Sequence, residues 1–467
     1  MSKGIYHSDF LLTTPLGKTL YHEVAAALPI IDPHNHLDPT VLAKNEPFAG
    51  IYELWVQNDP YKHRAMRICG VEEALITGQR SAYEKFKAWA ACYPATLGNP
   101  LYDWCQMELA TVFNIKETLS PASCQHIYDA ANEYLQQQAL SPLNLLQNFG
   151  VEMLCTSDDL LDSLAPHAAL QSMQGLPQCL PSLRADNILA VDQPGFYTWL
   201  QQLTAITAIP IKQLDDYKAA IHHRLDFFDR SGCLLSDHSL DSGFTYRSTE
   251  SSTAAQLFAR VLLQQALTAE ELTQLQSHLL QFLGEAYAAR HWGMQLHIGA
   301  YRYTSSVLRE KLGPAGGYAC IGHTVDVASL CKFLDDLDKE GALPKTILYT
   351  LNPADNAVLA SVTGSYAQDG MRGKIQYGPA WWYNDHFEGI TEQLKALSSY
   401  GLLSTSIGMT TDSRSLLSFV RHDYYRRILC NYVGRQVAEG RLPEDEIMLG
   451  DMVKKICYDN AKHWLKK

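Results

Sequence analysis

Short apolar runs, many of them β-branched, alternate along the chain with stretches long enough for helices, and each run ends in polar residues. This is the βα rhythm of a parallel sheet. Eight runs stand out: Leu28-Pro29-Ile30-Ile31-Asp32, Val151-Glu152-Met153-Leu154-Cys155-Thr156, the stretch entering Leu183-Arg184, Cys233-Leu234-Leu235-Ser236-Asp237, Met294-Gln295-Leu296-His297-Ile298, Thr346-Ile347-Leu348-Tyr349-Thr350, Lys374-Ile375-Gln376-Tyr377 and Thr405-Ser406-Ile407-Gly408-Met409. Such an order predicts an α/β fold, a (β/α)8 barrel of TIM type whose chemistry gathers where the strands end. The gap between the first and second runs is far longer than an ordinary βα connection, and its aromatic-rich, helix-compatible sequence predicts a helical insertion. The expected division is 1–45 for the N-terminal segment and first strand, 46–147 for the insertion, and 148–467 for the rest of the barrel. No repeat, low-complexity tract or Gly/Ser linker suggests a further cut.

A chain of 467 residues with 46% hydrophobic side chains can bury one large core. Its net charge of −12, with no long Lys/Arg run, argues against a nucleic-acid or anionic-membrane binder. An anionic small substrate remains compatible if a few arginines are placed locally. The start has no basic region followed by an apolar one, and no uncharged apolar stretch is long enough to span a bilayer, so a cytoplasmic protein is expected. The 11 cysteines are scattered singly with no C-x-x-C pair, and they read as reduced, buried small hydrophobes.

His34-Asn35-His36 follows the first run, between Asp32 and Asp38. Alternation in an extended segment puts His34 and His36 on one face, where two imidazoles can share a cation. Alone, H-x-H is a weak motif. Two other strand ends offer matching ligands, His297 and Asp412, and the four make a mixed N/O site suited to a borderline divalent ion such as Zn²⁺ or Mn²⁺.

Longer strings make the pattern specific. They are Tyr61-Lys62 with Arg64-Ala65-Met66-Arg67, Gly98-Asn99-Pro100-Leu101-Tyr102, Ser236-Asp237-His238, Gln295-Leu296-His297-Ile298-Gly299-Ala300, Pro344-Lys345-Thr346-Ile347-Leu348-Tyr349, Trp381-Trp382-Tyr383-Asn384-Asp385 and Thr411-Asp412-Ser413-Arg414-Ser415. Over nearly the whole chain this resembles the uronate isomerases, a branch of the amidohydrolase superfamily. The resemblance implies a barrel with a helical insertion and one divalent metal on His34, His36 and Asp412, with His297 as a less certain further ligand. It also implies interconversion of D-glucuronate with D-fructuronate and of D-galacturonate with D-tagaturonate.

Moving a proton between C2 and C1 through an enediol needs an acid/base group, stabilisation of the developing oxyanion, and an anchor for the carboxylate. Asp412 is the candidate base, acting through a substrate hydroxyl because a metal-bound carboxylate is itself a weak base. Tyr61 resembles the family's active-site tyrosine and is expected to donate a proton or a hydrogen bond to the oxyanion. Arg414 and Arg184 are the best carboxylate anchors, since guanidinium forks match carboxylates. Arg302 is a third candidate, for which a structural ion pair is the stronger expectation. Asp237 and His238 are expected to shape the pocket or order ligands. Trp381 is expected to face the substrate and Trp382 to turn into the core.

Two features depart from the family pattern. Pro60 precedes Tyr61 where uronate isomerases usually have histidine, and Tyr303-Thr304 replaces an asparagine-rich stretch after Arg302. His63 could replace the missing imidazole if 60–63 is extended and the two residues share a face. The competing readings are a metal-dependent hydrolase on the same barrel, and a non-catalytic sugar-acid binder. The partner expected is a small hexuronate, with neither nucleic acid nor membrane, and the assembly expected is a homo-oligomer.

Overall fold

Seven of the eight predicted runs become barrel strands, and every pairing among them is parallel. The computed structural model describes residues 5–466. In chain order the strands are β1 (Ile30–Asp32), β2 (Val151–Cys155), β3 (Asp158–Asp159), β4 (Gln178–Leu180), β5 (Ser182–Arg184), β6 (Leu235–Leu240), β7 (Gly293–Ile298), β8 (Ala300–Tyr301), β9 (Cys320–Ile321), β10 (Thr346–Thr350) and β11 (Ile375–Tyr377). β2 and β3 are two pieces of one strand, as are β4 and β5, which meet at Pro181, where the missing N–H breaks the ladder. The wall therefore runs β1, β2/β3, β4/β5, β6, β7, β10, β11, with helices between successive strands. β8 and β9, on either side of the helix Ser306–Leu312, pair as a small antiparallel two-stranded sheet.

The eighth predicted strand is the exception. Residues 405–409 form no strand; 403–405 is a short 3-10 turn. The segment still closes the barrel against β1, mostly through side chains. His34 N–H donates to Thr410 Oγ1 at 3.0 Å, Asp412 N–H to the His34 carbonyl at 3.1 Å, and His36 N–H to the Ser413 carbonyl at 3.0 Å. Asp32, fully buried, accepts from Thr411 N–H at 3.0 Å, Thr411 Oγ1 at 2.6 Å and Thr410 Oγ1 at 2.6 Å. A carboxylate thus stands in for ladder bonds that an irregular backbone cannot make.

Alternation sorts the strand residues into two faces. Ile31, Cys155, Leu180, Leu235, Ile347 and Ile407 pack with Trp464 as an apolar floor inside the barrel. Met294, Leu296, Ile298 and Leu348 point outward into the larger core beneath the helices. One step above the floor, the inward positions become polar, as in Leu235 followed by Asp237 and Ile347 followed by Tyr349. This is the change from packing to chemistry expected at the C-terminal ends of the strands.

Between β1 and β2 the chain forms a series of helices that includes Pro60–Ile68, Ala82–Cys92, Pro100–Phe113 and Cys124–Gln138. Trp55, Trp89 and Trp104 are fully buried among them. Residues 60–68 are helical rather than extended, because Pro60 sits in the first turn and Asp59 caps it, its carboxylate accepting from Tyr61 N–H and Lys62 N–H. Lys62 is buried beneath that turn, 2.5 Å from Asp59 and 3.6 Å from Glu108. Seven of the 11 cysteines are buried; Cys320, Cys331 and Cys457 are half-buried, and Cys69, at the end of this helix, is exposed, with Sγ 2.9 Å from Cys92 Sγ.

Candidate active site

The C-terminal ends of the strands surround a cavity of about 570 Å³. His34, His36, Tyr61, Arg184, Asp237, His297, Arg302, Trp381, Asp412 and Arg414 all line it. His34 and His36 leave the end of β1 and turn toward Asp412, whose Oδ1 lies 3.2 Å from His34 Nε2 and 3.0 Å from His36 Nε2. The other oxygen, Oδ2, accepts from Trp381 Nε1 at 2.5 Å. Burial opposes the charge on Asp412, but the two imidazoles hold the carboxyl well below its ordinary range. Its backbone is left-handed, with φ of 43°, as is that of Tyr383 on the same wall at 67°. Such conformations cost roughly 1–3 kcal/mol each in a non-glycine residue and persist where the surroundings impose them.

His297 stands on the inward face of β7, its Nδ1 2.6 Å from Asp237 Oδ1 on β6. The ring is fixed from both sides: Tyr349 stacks on it at 4.5 Å, and Trp381 lies 4.7 Å away. Its Nε2 and the Nδ1 of His34 are buried without a hydrogen-bond partner among the described residues.

Whether these residues suit a metal can be judged from the donor set. The ligand atoms of His34, His36 and Asp412 lie within 4.8 Å of one another, and those of His34, Asp237 and His297 form a second such group. Two imidazole nitrogens and a carboxylate oxygen converging in a buried pocket suit a borderline divalent ion. His297 belongs with Asp237 rather than with the His36–Asp412 group, and a carboxylate on one ring nitrogen is the usual way of orienting the other toward a cation.

The arginines divide. Arg302 is held by Asp241 at 2.8 Å and Ser239 at 2.7 Å, the structural pairing expected of it. Arg184 is paired with Asp186 at 3.0 Å while still facing the cavity. Arg414 is exposed and makes no hydrogen bond or ion pair among the described residues. Burial of its surroundings and the neighbouring Arg184 both work against its charge. Two cations near one another over a cavity make a place for an anion.

Two expectations are corrected. His238, the residue after Asp237, points to the opposite face of β6, is fully buried, and lies 5.6 Å from the Tyr287 ring, away from the cavity. Trp382 is not turned into the core; it lines the cavity with Trp381, half-buried. Tyr61 lines the cavity as expected, its hydroxyl donating to Asp385 Oδ2 at 2.9 Å in the absence of a bound molecule.

Asp385 is a site residue that sequence reasoning missed, although it ends the quoted Trp381-to-Asp385 string. It is buried, and burial pushes its carboxyl up to about 6 against the pull of Arg421. Arg421, also missed, is buried between the rings of Trp104 at 4.0 Å and Tyr61 at 4.9 Å. Nothing in the sequence marks it, because it is one of several charged residues in Val420-Arg421-His422-Asp423-Tyr424-Tyr425-Arg426-Arg427.

The rim over the cavity is the loop of residues 313–319. Arg64 Nη1 donates to the carbonyls of Gly317 at 3.0 Å and Ala319 at 3.2 Å, and Arg67 to that of Gly316. Gly317 is needed there, with φ of +81° and a Cβ that would lie 3.0 Å from the Pro60 carbonyl. A second cavity, about 470 Å³, adjoins the first and is lined by Pro60, His63 and Arg414 among others. His63 and Pro60 thus share a face, one helical turn apart.

Comparison with known proteins agrees with this geometry. The family model described as glucuronate isomerase matches residues 2–465. A uronate isomerase of Bacillus licheniformis is 43% identical over 464 residues, covering 99% of this chain and 98% of its own. The crystal structure of a uronate isomerase from Thermotoga maritima superposes with a TM-score of 0.93 at 32% identity, covering 98% of this chain and 99% of its own. That of a glucuronate isomerase from Caulobacter crescentus gives a TM-score of 0.91 at 24% identity, over 98% of this chain and 96% of its own, and speaks for the fold. With a family model spanning nearly every residue and a relative above 40% identity end to end, this chain belongs to the uronate isomerase family.

Proposed function

We propose that the protein interconverts aldohexuronates and ketohexuronates, D-glucuronate with D-fructuronate and D-galacturonate with D-tagaturonate. The observation that carries the reading is the unpaired Arg414 guanidinium in the same cavity as the His34, His36 and Asp412 group. A sugar acid needs both, one for its carboxylate and one for its reacting oxygens. Arg414, with Arg184 behind it, binds the carboxylate. Trp381 and Trp382 cover the sugar's C–H face. His34, His36 and Asp412 would hold a divalent ion, Zn²⁺ before Mn²⁺, which would supply positive charge to stabilise a developing oxyanion. Asp237 keeps the His297 ring turned toward the same centre. Asp412, already below the usual carboxyl range, removes a proton from a substrate hydroxyl rather than from carbon.

The helical segment 46–147 is read as an insertion whose contribution to the site is Tyr61, Arg64 and Arg67. A cytoplasmic homo-oligomer completes the reading; a sedimentation mass of one chain would remove the oligomer. Metal-dependent hydrolysis has less support: no lysine lines the cavity among the described residues, which leaves no carboxylated lysine to hold a second ion.

The test is incubation of the metal-loaded protein with each hexuronate in deuterated water, followed by NMR. Loss of the anomeric aldose signals with deuterium appearing at C1 of the ketose is expected. Binding without conversion of any hexuronate would leave a sugar-acid binder, and the isomerase reading would fall.

A further inference from the structure

Two cysteines that take no part in the candidate active site meet in the helical insertion. Cys69 caps the helix Pro60–Ile68, and Cys92 is the last residue of the helix Ala82–Cys92. The Cys92 thiol donates to Cys69 Sγ at 2.9 Å. Their access to solvent differs: Cys69 is the one exposed cysteine among the described residues, whereas Cys92 is 3% exposed. An oxidant arriving from solvent therefore meets Cys69, and Cys92 lies in contact behind it.

The chain between the two is packed rather than slack. Arg67, two residues before Cys69, grips Glu73 at two points, its Nε and Nη2 each 2.8 Å from a carboxylate oxygen. Met66, Ile76 and Trp89 are buried in the same core. Both sulfurs thus stand on a fixed backbone, and bringing them from 2.9 Å to a bonded distance asks for side-chain movement of less than about 1 Å. Burial, and after it the contact with Cys69, pushes the Cys92 thiol up to about 12. Cys92 stays protonated at neutral pH, so the exposed sulfur is the one that reacts first.

We propose that Cys69 and Cys92 form a reversible oxidation site, at which a peroxide converts the two thiols into a disulfide that ties helix 60–68 to helix 82–92. The Cys69 thiolate attacks a peroxide oxygen; an S–O bond forms, the O–O bond breaks, and the departing hydroxide takes up the thiol's proton as water. The Cys92 sulfur then attacks the sulfenic sulfur. An S–S bond forms, the S–O bond breaks, and the hydroxyl leaves with the Cys92 proton as a second water. Two thiols lose two electrons, and one hydrogen peroxide is reduced to two waters. A dithiol reverses the reaction by exchange. Helix 60–68 carries Arg64 and Arg67, which hold the rim loop by its carbonyls, so the crosslink fastens the support of the rim and leaves the metal ligands and carboxylate anchors untouched. The inference does not depend on the isomerase reading.

The experiment treats the reduced full-length protein with a small excess of hydrogen peroxide, alkylates the remaining thiols, and maps the digest by mass spectrometry without reductant. A peptide pair joined through Cys69 and Cys92, two hydrogens lighter than its reduced parts and separated by dithiothreitol, is expected. Cys69 left free, halted at sulfenic or sulfinic acid, or joined to a second chain overturns the proposal. That measurement needs wild type alone and stands even if a cysteine variant fails to fold. In Cys92→Ser the sulfenic acid has no thiol to meet, so dimedone labelling at Cys69 is expected to rise at least about tenfold over wild type. Equal labelling overturns the role of Cys92. Closing a loop between residues 23 apart restricts the unfolded chain, so oxidised wild type is expected to melt about 2–5 °C above the reduced protein, with no such rise in Cys69→Ser. An unchanged or lower midpoint in wild type overturns the claim that the bond fastens the two helices as they stand.

Discussion

Replacing Asp32 with alanine tests how the barrel is closed. In the folded protein the carboxylate accepts from Thr411 N–H, Thr411 Oγ1 and Thr410 Oγ1, and over a longer 3.4 Å from Asn35 Nδ2. These four donors do not all suffer equally when it is removed. The Thr410 hydroxyl has a second acceptor within reach, the His34 carbonyl at 2.5 Å, and turns to it. The Thr411 hydroxyl and its N–H have no other acceptor among the described residues. Each buried donor left unpaired costs about 1–3 kcal/mol, so the two cost about 2–6 kcal/mol. Burial pushes the Asp32 carboxyl up, meaning its charge is incompletely compensated, and losing that charge returns part of the cost. A net destabilisation of about 2–4 kcal/mol is expected for Asp32→Ala. Asp32→Asn, which keeps one acceptor oxygen for the Thr411 N–H, should lose about half as much. Urea unfolding followed by tryptophan fluorescence gives the first quantity, and metal content by mass spectrometry gives a second, since His34 and Asp412 are brought together by the same closure. An Asp32→Ala protein within about 0.5 kcal/mol of wild type and fully metallated would show that side-chain bonding to Asp32 does not hold the last segment in place.

Three further outcomes follow from the site. His36→Ala and Asp412→Asn should both lose bound metal, measured by mass spectrometry after dialysis, together with turnover; full metal content in His36→Ala would remove it as a ligand. Arg414→Met should keep the metal and raise KM for hexuronates by about 10- to 100-fold, the worth of a charge-assisted pair, with a smaller change in kcat. A normal KM would move the carboxylate to Arg184. Turnover should fall as pH drops through about 6, the value to which burial pushes Asp385. Arg421 and Tyr61 face that carboxyl, with Asp412 acting on it through space, and once protonated it no longer pairs with Arg421 as an anion. kcat/KM measured between about pH 5 and 8 should lose this acid limb in Asp385→Asn, and an identical limb in that variant would assign it to another group.

Much of the fold was legible because barrel strands announce themselves as short apolar runs, and because alternation places His34 beside His36 and aims Asp237, His297 and Arg184 inward. The same rule would have turned His238 outward, since neighbours on a strand cannot share a face. What hid the rest was distance along the chain. The last apolar run, 405–409, has the composition of a strand, yet it meets β1 through Thr410, Thr411 and Asp32, partners whose pairing depends on a closure no periodicity encodes. Tyr61 and Asp385 are 324 residues apart, so the direction of their hydrogen bond could be known only when the fold had joined them. Pro60 was read as a loss on an extended segment; as the first residue of a capped helix it is a residue well suited to its place.

The rim loop is gripped by its main chain. Arg64 and Arg67 hold carbonyl oxygens of residues 316, 317 and 319, and every amino acid carries a carbonyl. Gly313 and Gly317, both at positive φ, Ala315, with φ of 61°, and Gly316, whose Cβ would meet Leu312 at 2.9 Å, are bound by conformation or space, and the other side chains of this loop are free to vary without altering its shape. The cost of change falls on the two arginines and on those four positions, and the liberty falls on positions such as Ala319 that line the cavity. A lineage can retune which stereoisomer fits by single substitutions there while the mouth of the cavity keeps its form, so divergence in preference should be written in this loop and constancy in the helix that holds it.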